Sequence, residues 1–281
     1  MVKVPEPIER LFDTVPIITY PKEEIIDHID QFYFEGENKT NDDSFKLGVH
    51  QVIPYQGSDE RIRYIPNDPI SLGYALWLAH KNNLKLPTKD GKGQSSNNSI
   101  IQLSYHAAPD QQLPILIEDS NESRNIISLT AVKKSDHTNI ESKLITDLID
   151  SKFIDLWILC LLNEHPNHIF KDEDEDDLFH LNKYYNSYEV ANWKAFKIRY
   201  PNLFQISGTS IKTFYKSELK SFNQNLQLLS SNFINLDMSL KLKLVGYVII
   251  FDKYLSDTEI GIIIKNYPSL IKSSYKLLEK Y

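Results

Sequence analysis

The sequence predicts an α+β protein, a small mixed sheet followed by an all-helical half, and three observations predict it. Between residues 45 and 130 the apolar residues alternate with polar ones or fall in short runs, separated by stretches rich in Gly, Pro, Asn and Ser. That is the pattern of strands and turns. From residue 140 onward apolar residues recur at four-residue spacing, the pattern of helices packed by one face. The charge is divided as well: within a net −7, residues 1–177 carry −14 and residues 178–281 carry +7. A chain of 281 residues with 41% apolar and 25% charged side chains can bury a full core and is not disordered. The net negative charge argues against general nucleic-acid binding. A single cysteine, Cys160, excludes a disulfide scaffold and any multi-cysteine zinc site.

In chain order, the first residues lack an apolar h-region and an Arg-rich amphipathic stretch, so neither a secretory signal nor a mitochondrial presequence is expected. Ile8 to Tyr20 is a compact apolar segment that should dock on another surface. Residues 21–44 are polar and acidic and read as a mobile connection. Phe45 to Ile53 alternates and predicts a strand, and Pro54 to Asn67 reads as loop. Asp68-Pro69 supplies an N-cap followed by proline at the first helical position. The helix from Pro69 to about Asn82 is apolar nearly all round, and Asn82-Asn83 can end it in a left-handed cap. Residues 87–99 read as loop. Three further strands are expected at Ile100–Tyr105, Leu113–Ile117 and Asn125–Leu129, the last two paired through the turn at residues 119–122.

In the helical half, Leu144/Leu148, Ile145/Ile149 and Phe153/Trp157 predict a helix over 140–163. Six acids, Asp172 to Asp177, then interrupt as a solvated loop. Helices are expected near 186–199, 210–234, 237–254 and 256–280, the last broken at Tyr267-Pro268. The longest apolar runs, Leu156–Leu162 and Leu244–Phe251, are far shorter than the roughly 20 residues that span a bilayer as a helix.

This two-part plan resembles the glutathione-transferase-like fold, a thioredoxin-like half and then a helical one. Four blocks narrow the likeness: Arg10-Leu11-Phe12-Asp13-Thr14-Val15-Pro16 with Thr19-Tyr20, then Lys46-Leu47-Gly48-Val49, then Leu84-Lys85-Leu86-Pro87-Thr88, then Leu113-Pro114-Ile115-Leu116-Ile117-Glu118. Together they resemble the thirty-five-kilodalton subunits of the fungal mitochondrial sorting and assembly machinery, relatives of the metaxins. The resemblance implies three regions: a docking segment and linker at 1–44, a thioredoxin-like domain at 45–135, and a helical domain at 136–281 with an acidic loop at 171–178. It further implies a noncatalytic peripheral protein on the cytosolic face of the mitochondrial outer membrane, with no cofactor. Its partners would be the membrane-embedded barrel subunit, a second metaxin-like subunit, the outer-membrane surface and the β-signal of barrel precursors. Leu11, Phe12, Pro16 and Pro114 are the residues expected to serve partner binding. The alternatives are a glutathione-dependent transferase and a transferase-fold scaffold in another complex.

A transferase of this fold would need a hydroxyl or thiol at the junction of the first strand and first helix. There the sequence has the loop 54–68 with Tyr55, Ser58 and Tyr64, none fixed by a tight turn. Pro114 matches the proline that opens the third strand, where a cis peptide would fit. Glu122-Ser123-Arg124 lies too close to Pro114 to be the fold's acid-serine pair, and Ser128 at the proper place follows Ile127. The acidic run lacks the Gly and Glu of a calcium loop, since Asp177 and Lys183 occupy those positions. His165 and His168 flank a proline and lack further ligands. Gly91 to Ser96 lacks the Walker pattern, and Cys160 reads as a small buried hydrophobe. Lys241, Lys243, Lys265, Lys272, Lys276 and Lys280 form a basic helical region that would be drawn to an anionic membrane surface or an acidic partner.

Overall fold

The computed structural model describes residues 31–36, 44–89, 95–103, 107–108, 112–119, 124–128, 140–164, 193–204 and 208–281. Strands β1 (Gln31–Glu35), β2 (Ser44–Val49), β3 (Val52–Gln56) and β4 (Ile62–Pro66) precede helix α1 (Pro69–Asn82). Strands β5 (Ser95–Gln102), β6 (Ile115–Asp119) and β7 (Arg124–Ile127) follow it. Five of them make one sheet in the order β1-β5-β2-β6-β7, and β3 and β4 make a separate hairpin. The central strand β2 runs parallel to β5 and antiparallel to β6, with Leu47 opposite Ile100 on one side and Leu116 on the other. Phe45, Leu47 and Val49 are buried, as alternation requires of a strand at the middle of a sheet.

Helix α1 forms where its signals placed it. Asp68 caps it, the Ser71 amide donating to Asp68 Oδ1 at 2.8 Å. Asn83 closes it at φ 56°, ψ 40°, the left-handed conformation that asparagine tolerates. Asp68 is wholly buried, and that burial raises its carboxyl pKa. Asp68→Ala should therefore cost about 1–2 kcal/mol in urea unfolding. Asp68→Asn, which keeps the acceptor and removes the charge, should cost clearly less.

Four expectations for the sheet half are corrected. The strand expected over Phe45–Ile53 is two strands, because the chain bends at His50-Gln51 and leaves the large sheet. The loop expected after it is the β3–β4 hairpin, in which Ile53 lies opposite Ile65 and Tyr55 opposite Arg63. The prolines at 54 and 66 and the arginines at 61 and 63 mask the alternation, but β3 is an edge strand and an edge tolerates proline. The connection expected at 21–44 contributes β1, whose Phe34 and Phe32 share a face. Phe34 packs on Phe45 at 5.5 Å between ring centroids, and Phe32 on Tyr64 at 4.7 Å. Strand β5 also begins five residues before the expected Ile100. Its polar start is held by backbone pairing and by buried Asn98, whose Oδ1 accepts from the Phe45 amide at 2.8 Å.

The helical half runs α2 (Ile140–Asp147), a π-helical turn (Leu148–Phe153) and α3 (Ile154–Glu164) where a single helix was expected. The wider turn shifts the register so that Ile149 and Phe153 are buried along with Leu156 and Trp157. Then follow α4 (Trp193–Arg199), α5 (Gly208–Asn232), α6 (Met238–Tyr254), α7 (Glu259–Ile264) and α8 (Pro268–Lys280). The break at Tyr267-Pro268 falls where proline placed it. Helix α6 is buried from Leu240 to Phe251 on nearly every side.

One continuous core joins the sheet to the helices, from Phe34 and Leu47 through α6 to Leu278. The crossing of α1 and α6 is one of its closest backbone approaches. A Cβ on Gly246 would lie 2.3 Å from the Pro69 carbonyl oxygen and 2.7 Å from the Gly73 nitrogen. Glycine at 246 is what lets the two helix backbones touch. The α+β class is borne out, and the layout is consistent with the glutathione-transferase-like plan.

Candidate functional site

Of the residues expected to bind partners, Leu11, Phe12 and Pro16 lie outside the described residues, as do Glu122, Ser123, His165, His168 and the acidic run. Pro114 is described: it is buried and joined to Leu113 by a cis peptide bond just before β6. Around it, Leu113, Ile115 and Ala108 form a small apolar cluster with Leu103 and Ile117 against it. A Cβ on Gly48 would come within 2.5 Å of Leu103 and 2.8 Å of Ile115, so these side chains lie directly on the central strand. The chain neighbours of Pro114, Leu113 and Ile115, thus place it beside an apolar cluster.

The hydroxyls considered for catalysis belong to the β3–β4 hairpin, outside the sheet that Pro114 leads into. Tyr55 is buried, and burial together with the charges of Glu279 and Asp59 pushes its hydroxyl pKa up to about 12. The Lys253 ammonium lies 4.1 Å from its ring centroid. Tyr64 packs on Phe32, and the Ser58 amide donates to Glu279 Oε1 at 3.1 Å. Cys160 is fully buried, which pushes its thiol up to about 12. The thiolate is the reactive form, so native Cys160 should resist maleimide at pH 7.5 and be labelled only on unfolding, as intact-mass measurement would read.

Sequence reasoning missed a polar cleft of about 320 Å³ at the seam of β1, the hairpin, the segment after α1 and the end of α8. Arg63 is buried in its wall and donates to both Asp59 oxygens at 2.8 Å. That hydrogen-bonded pairing holds the Asp59 carboxyl down to about 2. Across the cleft Thr88 donates to Glu35. Tyr281 seals one end: its carbonyl accepts from the Leu86 amide at 2.5 Å, and its hydroxyl meets His80 Nδ1 at 2.7 Å. The cleft fastens the last helix to the sheet half. Its one local signal was an arginine at an inward position four residues after an aspartate.

At the opposite side of the sheet, β7 is the outermost strand, and among the described residues nothing pairs with its outer edge. Ile126, 54% exposed, stands opposite Ile117, and Arg124 is tied to Asp119 by two hydrogen bonds. The other outermost strand, β1, is bridged at Glu35 to Lys85. An exposed edge of this kind can accept an added extended segment through main-chain hydrogen bonds.

The basic region is less uniform than its sequence. Lys241 donates to the Ile234 carbonyl at 2.7 Å and Lys265 to that of Ser256 at 3.0 Å. Lys243 turns inward to Asp150 at 3.1 Å. Lys272, Lys276 and Lys280 stay exposed. Among the described residues no group of His, Cys, Asp and Glu could hold a metal ion, and no helix is long and apolar enough to cross a membrane.

Residues 2–118 match the family model described as SAM35, subunit of SAM complex. The chain is 30% identical over 178 residues to the sorting assembly machinery 35 kDa subunit of Saccharomyces cerevisiae, an alignment covering 57% of this chain and 53% of that protein. The chain thus spans about half the length of the curated relative it matches. All four blocks that carried the resemblance in the sequence lie within residues 2–118, and the resemblance is borne out there.

Proposed function

We propose that this chain is a noncatalytic, peripheral subunit of a sorting and assembly machinery of the mitochondrial outer membrane. In this reading it sits on the cytosolic side of a membrane-embedded barrel subunit, beside a second metaxin-like subunit, and helps recognise the β-signal of barrel precursors. The observation that carries the reading is the family match over residues 2–118, which takes in the N-terminal apolar segment and every described strand except β7. The N-terminal segment, through Leu11, Phe12 and Pro16, is the contact to the complex. The outer edge of β7, unpaired among the described residues, is the place where an extended β-signal adds a strand. The apolar surroundings of Pro114 and the buried Tyr55 hydroxyl favour this reading over glutathione chemistry. Retention on glutathione resin with turnover of an electrophile would overturn it.

The edge is testable by itself. Ile126→Pro removes a backbone donor from the outer edge of β7. The Phe45 amide and Val49 carbonyl turn toward β5, so by alternation Asn125 bonds inward to β6 and Ile126 faces out, where an edge strand tolerates proline. The variant should bind a fluorescent β-signal peptide about tenfold more weakly, the loss of one or two main-chain hydrogen bonds. Unchanged peptide affinity would place recognition elsewhere.

A further inference from the structure

We propose that the outer face of α8 is a docking surface for anionic lipid headgroups, engaged by Lys272, Lys276 and Lys280 through charge alone. This rests on the reading that the chain is seated at a membrane. Four-residue spacing puts the three ammonium groups along one side of the helix, over about 12 Å. The buried residues of the same helix, Leu270, Ser274 and Leu278, follow the same spacing on the opposite side. All three lysines are exposed, and among the described residues none forms an ion pair. Glu279, the acid of this helix, is turned to the hairpin, where it accepts the Ser58 amide. Ser269 and Ser273 are the neighbours of the lysines on this face.

The composition of the face selects the occupant. Protein interfaces centre on apolar and aromatic side chains and are depleted in lysine. A row of lysines among serines offers no such anchor. An anionic bilayer needs none, because its field attracts any basic face that comes within a Debye length. The absence of an apolar wedge also means attachment without insertion, reversible and sensitive to salt.

Flotation of the purified full chain with vesicles tests this, using phosphatidylcholine alone and phosphatidylcholine mixed with phosphatidylinositol. The chain should float with the mixed vesicles at low salt, stay behind with neutral ones, and be released at about 1 M salt, where the Debye length shrinks to about 3 Å. Replacing Lys272, Lys276 and Lys280 together by Ser should weaken binding about 100-fold, a factor of about five per lysine. Replacing Lys212, Lys216 and Lys220, exposed at the same spacing on α5, removes the same charge from another face and should weaken binding far less. An unchanged melting temperature in both variants excludes unfolding as the cause. Equal binding by both variants, or equal binding to neutral vesicles, would overturn the proposal. So would a chain that ignores vesicles yet loses its protein partners when the α8 lysines are replaced, which would make the face a protein contact. A chain that ignores vesicles but still joins the complex overturns this proposal and leaves the proposed function standing. The converse result does the reverse.

Discussion

Gly246→Ala should cost about 3 kcal/mol or more, the upper range for overpacking a tight core. The new Cβ would stand 2.3 Å from the Pro69 carbonyl oxygen and 2.7 Å from the Gly73 nitrogen. Both are backbone atoms of α1, so no rotamer change relieves the clash and the two helices must separate. Separation would open the core where the sheet half meets the helical half, because α6 is packed on nearly every side. Differential scanning calorimetry should show a fall of about 6–12 °C for a chain of this size. Gly48→Ala makes the control. There the obstacles are the ends of the Leu103 and Ile115 side chains, which can turn aside, so the loss should be smaller.

The second large effect concerns the joint between α3 and α4. Asp155 has a side chain only 1% exposed, and it accepts from Arg199 and from the Tyr200 hydroxyl, the latter at 2.9 Å. Arg199→Ala would leave that carboxylate buried with Tyr200 as its remaining partner in this set. Losing one member of a buried pair costs about 3–5 kcal/mol. The Arg199 side chain is 35% exposed, so water screens part of the attraction and about 2–3 kcal/mol is expected. Adding Asp155→Asn to Arg199→Ala should restore more than half of the loss in urea unfolding, because the stranded charge is then gone. No restoration would mean that the arginine acts by packing its stem.

These two sites show what was legible in the sequence and what was not. The bounds of α1 were, because Asp68-Pro69 and Asn83 act through local geometry that the residues themselves impose. The central strand and the helices from α5 to α8 were too, through alternation and four-residue spacing. The hairpin was hidden because Pro54, Pro66 and Arg63 contradict a strand locally and are tolerated only at an edge or against Asp59. Strand β1 was hidden because two phenylalanines on one face are a faint signal in an acidic stretch, and their partners Phe45 and Tyr64 are distant in sequence. The π turn at Leu148–Phe153 answers to packing on both of its sides, which no local pattern carries. Pro114 was named from the sequence, yet the apolar side chains that define its surroundings come from other segments. The polar cleft draws on at least four separate stretches and could only be assembled by the fold. Gly246 stood in an apolar run with nothing to mark it as the contact point of two helices.

We propose membership of an outer-membrane sorting and assembly complex. It is tested most directly by pulling the tagged full chain from mitochondrial outer membranes in mild detergent and identifying its partners by mass spectrometry. A membrane-embedded β-barrel subunit and a second metaxin-like subunit should be recovered stoichiometrically, and that recovery should be lost when Leu11, Phe12 and Pro16 are replaced by Ala. Recovery of a folded chain without a barrel subunit would contradict it.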